Sequence, residues 1–277
     1  MADTTHLSDF SWDPLQYNRF SDERGRPFAD LLARVVLDRP PELVVDLGCG
    51  SGELTAGLLS RWPSASVIGV DSSAEMVASA ERLRGGLPSA DAARLRFVEA
   101  DLSTWTPPAP VDVMTSNAAL QWVPGHLDLL PALMSRLAPG GRLAVQVPGN
   151  HDAPAHALLR DLRRTPRWSP LVGPDVAPGL DRRLAVAEPA EYLAALAGVG
   201  FAADVWETTY LHLLTSEDAV LQWMRGTGAR PTLAALPDDA ARAAFEADYA
   251  ELLRTAYPRQ PFGTVLPFRR LFLVAGR

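Results

Sequence analysis

A glycine-rich segment, DLGCGSG at residues 46–52, combines residue types and spacing that point directly to chemistry. It follows an apolar run typical of a buried strand, ELVVDL at 42–47, and it leads into a helical pattern at 52–61. Gly48 and Gly50 allow a tight turn and a close approach of a ligand to the backbone. The helix that follows offers free N–H groups at its start. The segment therefore predicts a ligand-binding turn between a strand and a helix.

A second acidic residue, Asp71, ends the next strand pattern about 20 residues after Gly50, where a carboxylate can accept hydrogen bonds from both hydroxyls of a ribose. A dinucleotide-binding loop would read GxGxxG, but its third glycine position is occupied here by Glu53. Asp46 would repel a pyrophosphate and would suit an ammonium group. The pattern therefore favours a nucleoside ligand with an ammonium and no phosphate, and S-adenosylmethionine has these features.

The elements that must position these residues alternate along the first half of the chain. Short apolar runs separated by helical patterns are typical of βαβ units and of a mostly parallel sheet. Strands are predicted at 42–47, 66–71, 94–101, 111–117 and, after a PGG turn at 139–141, at 142–148. Helices are predicted at 21–38, 52–61, 74–84 and 119–137. The sequence thus predicts an α/β fold, and ligands of such folds bind at the carboxyl edge of the sheet.

The second half of the sequence is less regular. We predict helices at 188–197, 216–227 and 237–256, and strands at 203–213 and near the end of the chain. The predicted organisation is an N-terminal tail or lid at 1–20, a cofactor-binding core at 21–148, a partly irregular insertion at 149–187, and a C-terminal part of the core at 188–277 with a helical cap at about 214–258. The cap and the insertion are expected over the sheet's carboxyl edge.

Composition narrows the possible chemistry. All 26 basic residues are arginine, so a Schiff-base lysine, a lysine general base and a P-loop lysine are excluded. The formal charge of −7 argues against nucleic acid or an anionic membrane as a partner. Cys49 is the only cysteine and the histidines form no HExxH motif, so no metal site is expected. With neither a signal peptide nor a membrane span in the sequence, we expect a cytoplasmic protein.

Four motifs in order resemble those of the class I S-adenosylmethionine-dependent methyltransferases: the glycine loop, the Asp71 segment, EADL at 99–102 and SNAAL at 116–120. The resemblance implies a Rossmann-like, mostly parallel seven-stranded sheet with helices on both faces and a helical cap. It also implies S-adenosylmethionine as cofactor, with Asp101 at the adenine amine, the Leu102 N–H at the ring, and the loop after strand four near the methyl group. The expected cofactor-binding residues are Arg26, Asp46, Gly48, Gly50, Asp71, Ser72, Met76, Asp101, Leu102 and Asn117.

A wider resemblance runs from Trp12 to Ala275. Stretches outside the cofactor motifs resemble the trans-aconitate methyltransferase family, among them WDPLQY at 12–17, SNAALQWVPGH at 116–126 and PFRRLFLVA at 267–275. This implies transfer of a methyl group to one carboxylate of a tricarboxylate, which gives a monomethyl ester. Because a carboxylate with a pKa of about 4 is already ionised at pH 7, the reaction needs positioning and no general base. No catalytic acid–base residue is therefore expected.

Recognition of a tricarboxylate calls for cationic and polar side chains, and the arginine fork suits carboxylates. Arg269 and Arg270 are neighbours in the last strand pattern, so they face opposite sides and only one can point at the site. We choose Arg270, with Arg230 as the second candidate. The expected substrate-binding residues are Tyr17, Trp122, Gln146, Asn150, Tyr210, His212, Arg230 and Arg270.

Three other functions remain open from the sequence. A methyltransferase could act on another small acceptor, such as a quinone or an acyl-carrier-bound acid, because the cap contains both aromatic residues and arginines. A nicotinamide oxidoreductase is disfavoured by Glu53 and Asp46, and a non-catalytic cofactor-binding module by the intact acceptor-side loop at 117–122. The oligomeric state is open, and a monomer is compatible with the sequence.

Overall fold

The computed structural model of the 277-residue chain describes residues 21–173 and 186–277. Its strands are β1 Leu43–Leu47, β2 Ser66–Asp71, β3 Leu95–Glu99, β4 Val111–Asn117, β5 Leu137–Pro148, β6 Ala203–Leu214 and β7 Thr264–Gly276. Its helices are α1 Ser21–Ala33, α2 Glu53–Arg61, α3 Ala74–Gly85, α4 Ser89–Arg94, α5 His126–Ser135, α6 Pro154–Arg163, α7 Ser169–Val172, α8 Pro189–Ala197, α9 Ala219–Arg225, α10 Arg230–Ala235 and α11 Asp239–Ala256. A short 3₁₀ turn occupies Leu120–Trp122.

The strands form one seven-stranded sheet in the order β3-β2-β1-β4-β5-β7-β6. The strand pairs β1–β2, β1–β4, β2–β3 and β4–β5 are all parallel. The strand order reverses direction between β1 and β4, where Asp46 lies opposite Thr115 near the carboxyl ends of both strands. In open α/β sheets such a switch point is where ligands bind. The predicted fold class is confirmed.

Strand β7 runs against its neighbour β5. Gly140 N donates to Arg277 O (3.1 Å), and Gly149 N donates to Arg269 O (2.9 Å). The residue numbers thus rise along β5 while those of their partners fall along β7. Such a reversal is the signature of an antiparallel pair. The late strand of the chain thus extends the parallel part of the sheet with a strand of opposite direction.

The central strands are largely apolar because both faces of the sheet are covered. In β1, Val44, Val45 and Leu47 are fully buried, and β4 is buried from Val111 to Ser116. Near-continuous apolar runs of this kind are typical of parallel strands with helices on both faces. The buried polar residues are the exceptions: Asp46, Thr115 and Ser116 lie toward the carboxyl ends, whereas Asp112 lies at the start of β4.

The chain divides into two compact units. Among the described residues, the first unit contains the chain up to Val147 together with Ala187–Trp206 and Leu271–Arg277, and the second contains Pro148–Val186 and Glu207–Arg270. The second unit has its own core around α6 and α11. In it the Trp168 ring meets Phe245 edge-on, with ring centroids 5.0 Å apart.

The segment after β4 differs from the prediction. The single helix predicted at 119–137 is wrong, because the chain forms the 3₁₀ turn Leu120–Trp122 and then helix α5. Pro124 cannot donate a backbone hydrogen bond, and Gly125 takes a left-handed conformation (φ +68°) at the start of α5. The two residues together separate the turn from the helix.

The PGG turn predicted at 139–141 is also wrong, since these residues lie inside the longer strand β5. A register shift between Val111 and Val113 of the neighbouring strand accommodates them. A Cβ on Gly141 would lie 2.8 Å from Val111 O, so the glycine lets the backbones approach closely enough to keep the strand continuous.

Other boundaries were also misplaced. The segment predicted as a strand from 94 to 101 begins one residue later and ends at Glu99, since helix α4 precedes it. The insertion at 149–187 is more regular than predicted, because it holds helices α6 and α7. The pattern at 216–227 is helical only over α9, and no pattern in the sequence predicted the short helix α10.

Within the described residues, no helix is long and apolar enough to cross a membrane. Nor do these residues bring together three or more histidine, cysteine, aspartate or glutamate side chains that could hold a metal ion.

Candidate functional site

The glycine loop between β1 and α2 takes the conformation that its sequence predicts. Gly48, Gly50 and Gly52 have φ angles of +79°, +54° and +90°, which side chains rarely tolerate. The loop is tied to β2, because the N–H groups of Gly48 and Cys49 both donate to Val70 O, at 2.7 and 3.0 Å. Backbone geometry and two hydrogen bonds therefore hold the turn in place.

Two of these glycines differ in their surroundings. A Cβ built on Gly48 would lie 2.1 Å from Ala119 Cβ, so Gly48 is needed for the loop after β4 to pack against the glycine loop. A Cβ built on Gly50 meets nothing within 4 Å. The Gly50 side of the loop thus faces open space, as a ligand-binding surface requires.

Asp71 lies at the carboxyl end of β2 and faces the glycine loop. Its Oδ2 accepts a hydrogen bond from Gly50 N (2.9 Å) and its Oδ1 accepts one from Ser73 N (2.9 Å). Burial raises the pKa of the Asp71 carboxyl, while these backbone donors oppose the rise. The carboxylate is thus oriented by the backbone, and each oxygen keeps a lone pair for a hydroxyl donor.

Asp46 lies beneath the loop and not on its open side. It is 3% exposed, and its two oxygens accept hydrogen bonds from Thr55 Oγ1 (2.6 Å) and Thr115 Oγ1 (2.9 Å). Burial raises the pKa of this carboxyl to about 6, although the two hydroxyls oppose the rise. Asp46 therefore joins β1, α2 and β4 at the switch point, and its role at an ammonium group stays a prediction.

The segment expected at the adenine combines exposed polar and buried apolar residues. Ser72 and Asp101 are exposed, and Asp101 Oδ1 accepts hydrogen bonds from the N–H and hydroxyl of Ser103 (2.8 and 2.7 Å). Met76 is 4% exposed, and Leu102 is 7% exposed with its Cδ1 beside Gly48. Leu102 and the glycine loop thus lie together, while the contacts expected with adenine stay predictions.

The loop after β4 carries two features that point to a ligand. Asn117 ends the strand, and its Oδ1 is buried with no hydrogen-bond partner among the described residues. Ala118 has a φ of +54°, which is unusual for a residue with a Cβ. Strained backbone and unpaired buried polar atoms cluster at functional sites.

Gln121 is a residue of this loop that the sequence predictions missed. It is 6% exposed, its Nε2 donates to Ala118 O at 2.6 Å, and its Oε1 has no partner in the described part of the chain. The only signal in the sequence was its place in the SNAALQWVPGH stretch. That stretch marked the segment but did not single out this side chain.

The remaining predicted residues of the first unit differ in exposure. Arg26 lies on α1 and is exposed, and Trp122 is 37% exposed in the 3₁₀ turn. Gln146 is fully buried in β5, opposite Asn117 of β4. Tyr17 lies outside the described residues.

In the second unit, several predicted substrate-binding residues are buried together. Arg270 is 3% exposed, and its guanidinium carbon lies 4.3 Å from the centroid of the Phe268 ring. His212 is 6% exposed, and its ring lies 5.8 Å from Phe268 and stacks on Trp223 at 5.0 Å. Tyr210 is 2% exposed, with its ring parallel to that of His212. Arg270, His212 and Tyr210 thus belong to a buried cluster of polar and aromatic side chains.

The alternation expected at Arg269 and Arg270 is observed. Arg269 points away from the buried side and pairs with Glu207, with Nε and Nη2 at 3.0 and 2.5 Å from the same carboxylate oxygen. Arg230 begins helix α10 and is partly exposed. Asn150 contacts His156, with 3.2 Å between its Nδ2 and the histidine Nε2. Of the two neighbouring arginines, Arg270 is the one buried among aromatic side chains.

Comparisons with known proteins agree with this architecture. Residues 44–141 match the family model described as a methyltransferase domain. A solved putative methyltransferase from Bacillus halodurans superposes with a TM-score of 0.55 at 13% identity, covering 91% of this chain and 98% of that one. A S-adenosylmethionine-dependent methyltransferase from Geobacter sulfurreducens, solved with S-adenosyl-L-homocysteine, gives 0.51 at 21% identity, covering 97% and 100%. At these identities the solved structures show the fold.

Fold and glycine loop together define a class I methyltransferase. Curated trans-aconitate 2-methyltransferases narrow this further: the one from Streptomyces avermitilis is 54% identical over 96% of both chains. The one from Rhodococcus jostii is 49% identical over 95% of this chain and 98% of its own. The chain belongs to the trans-aconitate 2-methyltransferase family.

Proposed function

We propose that this protein transfers a methyl group from S-adenosylmethionine to one carboxylate of trans-aconitate, or of a closely related tricarboxylate, to form a monomethyl ester. The observation that carries the proposal is that this chain is 54% identical to a curated trans-aconitate 2-methyltransferase. The hydrogen bond from Gly50 N to Asp71, which joins the glycine loop to the expected ribose carboxylate, supports it. The curated relatives cover nearly the whole chain, including the second unit, in which most of the acid-binding candidates lie.

The residues present fit the proposed cofactor. A Cβ on Gly50 would enter open space, Asp71 offers lone pairs beside that space, and Asn117 Oδ1 is an acceptor without a described partner. These groups suit a nucleoside with two ribose hydroxyls and a cationic amino-acid part. When bound, S-adenosylmethionine supplies an electrophilic methyl group on a positively charged sulfur.

For the acceptor, the second unit supplies most of the candidates, and the first unit adds Trp122 and Gln146. Arg270 provides a guanidinium that can bind a carboxylate with two parallel hydrogen bonds, and His212 and Tyr210 provide further donors. Their burial among aromatic rings strengthens such bonds, because few water molecules compete for the same groups. Arg230 and Asn150 remain further candidates in this unit.

The chain has little proton chemistry to perform. A carboxylate is the nucleophile at neutral pH and needs no base to activate it. What the residues must do is exclude water and hold the carboxylate oxygen in line with the methyl group, about 3–3.5 Å from it. The reaction therefore needs no general acid or base.

A direct assay tests the proposal. The protein is incubated with methyl-labelled S-adenosylmethionine and a panel of di- and tricarboxylates, and base-labile methyl esters are measured. We expect label on trans-aconitate or on a closely related tricarboxylate. Label on a quinone, a phenol or an acyl-carrier-bound acid, with none on any free tricarboxylate, would overturn the proposed acceptor.

We further propose that the protein works in the cytoplasm. Cys49 is the only cysteine, so the chain forms no internal disulfide, and proteins of the reducing cytoplasm rarely contain one. Fractionation of the producing cells, followed by detection of the protein, tests this assignment.

A further inference from the structure

The amide of Gln121 has a defined orientation. Its Nε2 lies 2.6 Å from Ala118 O, and a carbonyl oxygen can only accept a hydrogen bond, so this end of the amide must be the NH₂ group. The other end is therefore the carbonyl Oε1, a buried acceptor with no partner within the described residues. A buried acceptor left unpaired costs about 1–3 kcal/mol, so it calls for a donor that arrives with a ligand.

The loop around Gln121 is rigid enough to keep this oxygen in place. Ala118 is held from both sides, because its N–H donates to Gln146 O (2.9 Å) and its carbonyl accepts from Gln121. The next residue, Ala119, packs against the Cα of Gly48 in the cofactor loop. The unpaired oxygen thus belongs to a segment that is in contact with the glycine loop.

The chemistry of the two proposed ligands decides which of them can use this oxygen. A tricarboxylate ionised at pH 7 carries only acceptors, so a carbonyl oxygen would repel it. The cofactor carries donors at the adenine amine, the ribose hydroxyls and the ammonium of its amino-acid part. The first two have expected partners in Asp101 and Asp71. Asp46, the residue expected at the ammonium, is only 3% exposed beneath the loop, where two threonine hydroxyls donate to its oxygens.

We propose that Gln121 Oε1 accepts a hydrogen bond from the ammonium group of the bound cofactor, and that Gln121 is therefore a cofactor-binding residue. This inference rests on the proposed function, because it takes S-adenosylmethionine as the cofactor. In the same side chain, Nε2 donates to Ala118 O of the loop after β4, and Oε1 accepts from the ammonium of the cofactor's amino-acid part. Asp46 then acts beneath the loop, where it joins the strands.

Equilibrium binding without any acceptor acid tests the proposal. Dissociation constants are measured by calorimetry for S-adenosylmethionine, S-adenosylhomocysteine and 5′-methylthioadenosine, which lacks the amino-acid part. We expect Gln121→Met to weaken binding of the first two by about tenfold or more, since hydrogen bonds to charged groups are the stronger ones. Binding of methylthioadenosine should change by less than about twofold, because it has no ammonium to lose.

A second substitution at Gln121 and a control at another glutamine complete the test. Gln121→Glu keeps an acceptor oxygen and adds a negative charge, so its affinity for S-adenosylhomocysteine should equal or exceed that of the native protein. Gln222→Met is a matched control: this amide also donates to a backbone carbonyl, Glu217 O (2.8 Å), on a partly exposed side chain of α9, and all three affinities should stay unchanged.

Other results would overturn the assignment. These are an equal loss for methylthioadenosine and S-adenosylhomocysteine in Gln121→Met, a loss confined to S-adenosylmethionine, or a selective loss in Gln121→Glu as large as in Gln121→Met. If Gln121→Met does not fold, as judged by its circular dichroism, Gln121→Glu alone decides. Because these measurements contain no acid, a failure to methylate trans-aconitate would overturn the proposed function and leave this result standing.

Discussion

Arg270 and its neighbour Arg269 show how a single residue's surroundings decide its use. Arg270 is buried beside Phe268, whereas Arg269 is partly exposed and already paired with Glu207. The two side chains are chemically identical and one position apart. They therefore form a matched pair for testing which guanidinium binds the acceptor.

We expect Arg270→Gln to raise the KM for trans-aconitate about 10- to 100-fold, with a smaller change in kcat, because a charge-assisted hydrogen bond to the acid is lost. Arg269→Gln should change the KM by less than about fivefold, since an exposed ion pair contributes about 0–1 kcal/mol. Steady-state kinetics with varied acceptor and saturating cofactor measure both. Equal effects of the two substitutions would remove Arg270 from the acceptor site.

Asp71 should act on the cofactor in the same way. Asp71→Asn removes the charge and one acceptor, so we expect the dissociation constant of S-adenosylhomocysteine to rise about 10- to 100-fold. Calorimetric titration measures the change, and circular dichroism checks that the fold persists. Asp128→Asn, at an exposed position of α5, makes the same chemical change away from the loop and should bind normally. Tight binding retained by Asp71→Asn would contradict the ribose role.

At the scale of elements, the site depends on the contact between the glycine loop and the loop after β4. A methyl group at Gly48 would overlap Ala119 and would also require a left-handed backbone. We expect Gly48→Ala to destabilise the fold by about 2–5 kcal/mol, the sum of overpacking and backbone strain. Urea unfolding followed by circular dichroism measures this free energy.

Two variants give that prediction its controls. Gly50→Ala adds a methyl group to open space, so only the backbone term of about 1–2 kcal/mol should remain. The double variant Gly48→Ala with Ala119→Gly removes the overlapping atom and should recover the overpacking part, about 1–3 kcal/mol. A double variant no more stable than Gly48→Ala would show that the two loops are not in contact there.

At the scale of the whole molecule, the second unit contains a histidine whose burial should affect stability at low pH. Burial lowers the pKa of His156 to about 4, and nearby His151, Arg160 and Arg163 act in the same direction. Gly228 packs against the ring, since a Cβ there would lie 2.6 Å from its Cε1. Between the ordinary pKa and pH 4, the unfolded chain binds a proton at this histidine that the folded chain does not.

Stability should therefore fall as the pH drops from about 6.5 to 4, by up to about 3 kcal/mol from this group. His156→Gln has no titrating group at this position, so its unfolding free energy should fall less than that of the native protein as the pH drops from about 6.5 to 4. The difference between the two unfolding free energies should therefore shrink as the pH falls. The raised pKa of Asp46 acts oppositely, because its contribution is lost as the pH rises through about 6, but it cancels in the comparison. Urea unfolding at several pH values between 4 and 7 tests this; parallel curves would contradict it.

The fold could be predicted from sequence because its signals are local. Gly48, Gly50 and Asp71 follow from backbone conformation and chain order, since parallel strands bring their carboxyl ends to one edge of the sheet. The break at Pro124 and Gly125 escaped prediction because the apolar pattern continues across it. Element type was thus clear where periodicity was strong, and boundaries were misplaced where a proline or glycine interrupted it.

The sequence by itself predicted the glycine loop, the family and Asp71 as the expected ribose carboxylate, because these depend on motifs that are local in the chain. Only the tertiary structure decided that Asp46 lies beneath the loop, that Gln121 carries an unpaired oxygen, and that Arg270 is the buried member of its pair. The physical reason is that the role of a polar side chain depends on which residues, distant in the chain, form hydrogen bonds with it. Thr55 and Thr115 engage Asp46 across the sheet, and no spacing along the chain records that contact.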